Sequence, residues 1–145
     1  MTLKVLFVPL ALVAGVAVAM QAASNSGLRS LTGLGPALLI NTAVVLIATI
    51  ALWLGLGAKT TFFPAGASWT LYIGGVCGFV ILTALAIAFP NLGAAWGISI
   101  MVLGQCAAAL VIDHYGLLGM PQDAVTLRRA LGVALVAAGV FVLRW

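Results

Sequence analysis

Trp96–Gly119 reads WGISIMVLGQCAAALVIDHYGLLG. It opens as a helix apolar enough for lipid and carries one amide, Gln105, in its second half. It ends on Asp113-His114-Tyr115-Gly116, the densest polar cluster of the chain. Asp113 is one of only two acidic residues, and His114 is the single histidine, in 145 residues. Such a run crosses a hydrocarbon core and leaves it at Asp113, at headgroup depth.

The rest of the chain agrees. It is 65% hydrophobic and 6% charged, where a soluble domain carries about 25% charged residues. A soluble chain this apolar could not cover its own surface with polar groups, so lipid is the solvent for most of it. The net charge of +4 comes from Lys4, Arg29, Lys59, Arg128, Arg129 and Arg144. These form no run and are not interleaved with aromatics. They read as membrane-flanking charge, with no nucleic-acid partner. Cys77 and Cys106 lie inside apolar runs and read as small helix residues, with no disulfide framework. Lys4, the apolar run after it and Ala17-Val18-Ala19 resemble a secretory signal, but more membrane sequence follows, so the segment reads as a first span.

Five transmembrane helices are expected, over residues 3–31, 36–57, 69–89, 93–112 and 127–143, forming a single all-α membrane domain. The first is longer than a bilayer needs and must tilt or project, which sets Gln21, Ser24, Asn25 and Ser26 near one interface or shallowly below it. Gln21 and Asn25 share a face at i, i+4. Gly33, Gly35 and Pro36 break the helix, with Pro36 suited to a first helical position. Residues 58–68 read as a loop, and 90–93 as a tight link between antiparallel spans. Gly74 and Gly78 form a G-x-x-x-G strip suited to helix packing.

The fifth span carries a recognisable pattern. Gly132-Val-Ala-Leu135, Gly139-Val140 and Leu143 resemble the glycine pattern that closes members of the drug/metabolite transporter superfamily. Gly104-Gln105, Asp113-His114-Tyr115-Gly116-Leu117, Gly119-x-Pro121 and Leu127-Arg128-Arg129 resemble the small five-span YdcZ-type branch, described as inner-membrane exporters. Ala14-Gly15, Gln21 and Asn25 in the first span fit the same branch. The resemblance covers almost the whole chain. It implies a multi-pass inner-membrane transporter that is half of a ten-helix inverted repeat. One departure matters. The superfamily's four-span multidrug exporters use a glutamate in their first span, and this first span has no carboxylate. Proton-for-cation exchange at that helix does not carry over.

Polar groups inside spans mark function or interhelical bonding. Gln21, Asn25, Asn41 and Gln105 are the candidate solute-binding residues. Thr42, Thr49, Thr83 and Ser99 are expected to bond back to their own helices. Asp113 is expected either to pair with Arg128 or Arg129 or, with His114, to act as a protonation gate. No Cys/His cluster calls for a metal, no nucleophile and base can be assembled into an enzyme site, and no cofactor is implied.

These residues predict a small secondary transporter of a small-molecule solute, working as a dimer by alternating access, with its cavity between the first four spans. The alternative is a non-transporting scaffold or regulatory subunit. A transporter should line a cavity with these amides; a scaffold should bond them to one another. With the N-terminus inside, Lys4, Lys59, Arg128 and Arg129 lie inside and Arg29 and Arg144 outside, a weak positive-inside bias. That bias suits an antiparallel homodimer, or pairing with a related chain, with Gly132 and Gly139 of the fifth span at the interface.

Overall fold

The structure is a computed structural model that describes residues 7–56 and 69–144. Lys4, Lys59, Trp145, the start of the first expected span and the loop 58–68 lie outside the described residues. Five α-helices are present among those described: α1 (Val8–Thr32), α2 (Leu34–Gly55), α3 (Gly74–Leu92), α4 (Ala94–Tyr115) and α5 (Leu127–Val142). Short 3₁₀ turns at Trp69–Tyr72 and Leu117–Gly119 precede α3 and follow α4. The first four helices are long and apolar enough to cross a membrane. At 16 residues, α5 is about 24 Å long, short of the ~30 Å hydrocarbon core. The chain divides into two compact units, residues 1–89 and 90–145.

In the first unit a single residue, Gly33, separates α1 from α2. It sits at φ 87°, ψ 169°, a region essentially reserved for glycine. Its N–H closes α1 on the carbonyl of Arg29 at 2.9 Å. The expected break over residues 33–36 is thus shorter, because one glycine reverses the chain. Pro36 becomes the third residue of α2, where a missing N–H costs no helical bond. The buried residues of this unit are Ala22 and Asn25 on α1, Ala37 on α2, and Ala86 and Phe89 on α3. Three of the five are alanines, which let helix backbones approach closely.

Gly93 has the same backbone setting, φ 79°, ψ 159°. The link expected over residues 90–93 is helical up to Leu92, with Pro90 inside the last turn of α3. The third expected span likewise begins with a 3₁₀ turn and becomes α-helical only at Gly74.

In the second unit α4 packs against α5. Gly116 ends α4 in the left-handed conformation at φ 61°, ψ 36°, the usual glycine stop. Leu118 also has positive φ, 56°, a strained setting for a bulky residue. Thr126 caps α5, its hydroxyl accepting the Arg129 N–H at 3.4 Å. The large apolar side chains exposed on all five helices, Leu39, Ile47, Val80, Val111 and Leu135 among them, face outward as lipid requires.

Candidate functional site

In the first unit Gln21 and Arg29 of α1 bond to the other two helices. Gln21 lies one residue past the midpoint of α1, and its Nε2 donates to Oδ1 of Asn41 on α2 at 3.1 Å. The described helix extends about equally to either side of Gln21. Both amides line a groove of about 510 Å³ with Thr42 and Val45 of α2 and Gly75, Gly78, Phe79, Ile81 and Leu82 of α3. Gly74 and Gly78 were expected to seat a neighbouring backbone. Neither has an atom within 4 Å of where a Cβ would stand, and Gly78 borders the groove. The missing side chains leave space there.

Each helix of this unit has a groove part and a packed part. On α1, Ala22 and Asn25 lie between Gln21 and Gly33; on α2, Ala37 lies between Gly33 and Asn41. On α3 the groove residues end at Leu82 and the buried Ala86 and Phe89 follow. Asn25 is 5% exposed. Its Nδ2, like that of Asn41, has no partner among the described residues.

Arg29, four residues beyond Asn25, was not singled out from the sequence. Its guanidinium donates to the buried carbonyl of Ala86 at 3.0 Å. Pro90 explains the contact. A proline has no N–H to give to the carbonyl four residues back, so Ala86 is left without its helical donor, and Arg29 supplies one. The signal was available: a proline in the last turn of an apolar helix orphans a carbonyl at a fixed position.

The second unit concentrates charge where α4 ends. Arg129 pairs with Asp113 and reaches Asp123 twice, at the backbone carbonyl (3.0 Å) and the carboxylate (3.1 Å). Of the two arginines expected to meet Asp113, Arg129 is the one that does, and Arg128 is exposed. Cations are disfavoured in the first turn of a helix, and the two carboxylates offset that for Arg129. The Asp123 N–H donates to the Asp113 carbonyl at 2.8 Å. His114 takes part on both sides: its carbonyl accepts from Gln122 Nε2 at 3.0 Å, and its Nδ1 accepts the Val125 N–H at 3.3 Å. The connection from α4 to α5 is thereby folded back onto the end of α4.

Gln105 stands at the midpoint of α4, exposed, its amide in no hydrogen bond among the described residues. Gly132 and Gly139 border clefts between α4 and α5, of about 300 and 250 Å³, with nothing within 4 Å of either Cβ position. Thr49, Thr83 and Ser99 donate to the carbonyls of Val45, Phe79 and Ala95, four residues back, each at 2.8 Å. Among the described residues no group of three or more His, Cys, Asp or Glu could hold a metal.

Residues 6–142 match the family described as "Putative inner membrane exporter, YdcZ". The chain belongs to the YdcZ family. No curated protein and no solved structure matches it. The match covers all five helices, so the family's inner-membrane setting applies to the whole chain, in keeping with four helices that can cross a bilayer. The YdcZ description is of an exporter, which is not an enzyme class.

Proposed function

We propose that the chain is a secondary transporter that exports a small solute across the inner membrane, with the groove beside Gln21 and Asn41 as its binding site. The observation that carries this reading is the paired amides lining a groove at mid-helix, in a member of an exporter family. An amide in hydrocarbon costs several kcal/mol unless it is bonded, and Asn25 and Asn41 each keep an unmet N–H there. A bound solute satisfies them. Gln105, without a hydrogen bond at the midpoint of α4, is the solute-binding candidate of the second unit. Asp113 and His114 act as the gate: a proton on Asp113 leaves Arg129 only Asp123, and a proton on Nδ1 of His114 removes the acceptor of the Val125 N–H.

Five helices are half of a ten-helix inverted repeat, and inverted repeats supply equivalent inward-open and outward-open states. We therefore infer alternating access in an antiparallel homodimer or in a pair with a related chain, with Gly132 and Gly139 near the interface. Single cysteines at Lys4 and Trp145, with Cys77 and Cys106 replaced by alanine, test this in intact cells. Labelling of each position from both sides supports dual insertion. One-sided labelling with no oppositely oriented partner copurifying removes the antiparallel arrangement.

The binding reading is tested by screening solutes against the purified protein for thermal stabilisation, since a ligand of the folded state raises its stability. A solute whose effect is lost in Gln21→Leu and Gln105→Leu, with expression and oligomer size intact, supports it. If both variants misfold, the amides are packing groups and the scaffold reading, which the Gln21–Asn41 bond also fits, takes over.

A further inference from the structure

Gln21, Asn25 and Arg29 follow one another at i, i+4 and i+8 and form one polar stripe on α1. The buried unmet groups on it and facing it are of one kind. Asn25 is 5% exposed with an unpartnered Nδ2, and Asn41, facing the stripe from α2, has an unpartnered Nδ2 as well. Arg29 is half-buried and spends one N–H on the Ala86 carbonyl; a guanidinium has five. The sequence holds two aspartates and no glutamate, and Arg129 holds both aspartates. Arg29 is thus a partly desolvated cation with no carboxylate paired to it among the described residues.

The fully buried unmet atoms, Nδ2 of Asn25 and Nδ2 of Asn41, are both donors and the charge beside them is positive, so the complementary ligand is an acceptor with negative charge. Water can satisfy an amide N–H but does not neutralise a cation held away from bulk solvent. A carboxylate does both, accepting from several donors at once. The adjoining groove is walled by Val45, Phe79, Ile81 and Leu82. Ala86, where the guanidinium sits, is one turn beyond Leu82, about 6 Å along the helix. We propose that this site takes a small organic anion, its apolar body in the groove and its carboxylate on Asn25 and Arg29. The proposal rests on the reading of the groove as the solute site and names the class of solute. An acidic lipid headgroup offers the same oxyanion chemistry, and the test separates the two sources.

The full chain in neutral detergent, at constant ionic strength, is melted with acetate, lactate, benzoate or phenylacetate, each against its uncharged amide, and with phosphatidylglycerol. Benzoate and phenylacetate are expected to raise the melting temperature with concentration while their amides do not. Arg29→Gln should weaken that response about tenfold to a hundredfold, the range for hydrogen bonds to a charged group. Because Arg29→Gln also strips the donor from Ala86, it is made alongside Arg29→Gln/Pro90→Ala, in which the alanine N–H restores the helical bond. Asn25→Asp places a carboxylate one turn from Arg29; it should fold and lose the response. Equal stabilisation by acid and amide, or a response that survives in Arg29→Gln/Pro90→Ala, overturns the proposal. So does stabilisation by phosphatidylglycerol alone, or by no carboxylate at all. A neutral solute whose effect depends on Gln21 but not on Arg29 overturns the anion class and leaves the groove reading standing. If no solute has a Gln21-dependent effect, both fall.

Discussion

Arg29 and Arg129 lie near helix ends in a chain with few charges, and they are used in opposite ways. Arg129 gathers both aspartates and ties the α4–α5 connection down, so its charge is more than matched locally. Arg29 gathers no acid and gives its guanidinium to a backbone carbonyl that a proline has left open. The difference shows that a cation in a membrane protein can be held by geometry alone, without a counter-charge. Where that happens the positive field remains available to something outside the chain. One region is closed electrostatically and the other is open.

The largest stability effect should come from breaking the open region. Arg29→Gln exposes the buried Ala86 carbonyl to the loss of its donor, which costs about 1–3 kcal/mol. Pro90→Ala in the same chain should recover most of that, because the new N–H lies in line with Ala86. Thermal or denaturant unfolding of the two variants checks it. A failure of Pro90→Ala to rescue would mean that Arg29 stabilises through something other than that carbonyl.

In the closed region Arg129→Gln should cost less, about 0.5–1 kcal/mol, because the ion pairs are partly solvated. Arg129 and Asp113 are each about one-third exposed and Asp123 is two-thirds exposed. The loss should shrink in high salt. A double-mutant cycle of Arg129→Gln with Asp113→Asn should show coupling of about 0.5 kcal/mol or more, as for residues in one network. Asp113→Asn also tests the gate. If this cluster gates by protonation, the variant flattens the pH dependence of transport that the wild type shows. An unchanged profile leaves the cluster as a fastening.

How these two regions came to be read unequally has a physical cause. Asp113 and its arginine were legible because charge in an apolar chain has few places to go, and Arg129 lies close in sequence. Arg29 was hidden because its partner is a backbone carbonyl 57 residues away. The helices were legible from apolar runs, and their ends less so. A glycine at positive φ ends one helix and lets the next begin in one residue, so Gly33 and Gly93 replace links expected to take four. Pro36 and Pro90 read as breakers, yet one falls in a first turn and the other is compensated by Arg29. Gln21 and Asn41 were legible as polar residues in spans, but their bond across the Gly33 turn depends on helix register, which apolar runs do not specify.

A smaller effect is expected from the amide pair. Replacing Gln21 with leucine removes one interhelical bond, worth about 0.6 kcal/mol in lipid, while the solute response should vanish. Stability and binding then separate, as a binding residue requires. A melting loss several times larger would make the pair a packing contact and move the open region's role from solute to structure.

The smallest effect concerns the hydroxyls, and it sharpens the contrast between groups turned inward on their helix and groups left for a ligand. Thr49, Thr83 and Ser99 each donate to their own helix four residues back. Such a bond replaces nothing that the helix lacks, since that carbonyl already accepts a backbone N–H. Thr49→Val, Thr83→Val and Ser99→Ala should therefore change stability by less than about 0.5 kcal/mol, as for substitutions away from any special feature, and leave solute binding untouched. Thr42 lines the groove beside Asn41. Thr42→Val keeps its shape and removes its hydroxyl, so it should leave stability equally unchanged and weaken solute binding severalfold. Melting the four variants with and without solute decides the matter. If Thr42→Val binds as the wild type does, the solute does not reach the α2 wall of the groove, and binding must be sought nearer Asn25 and Arg29.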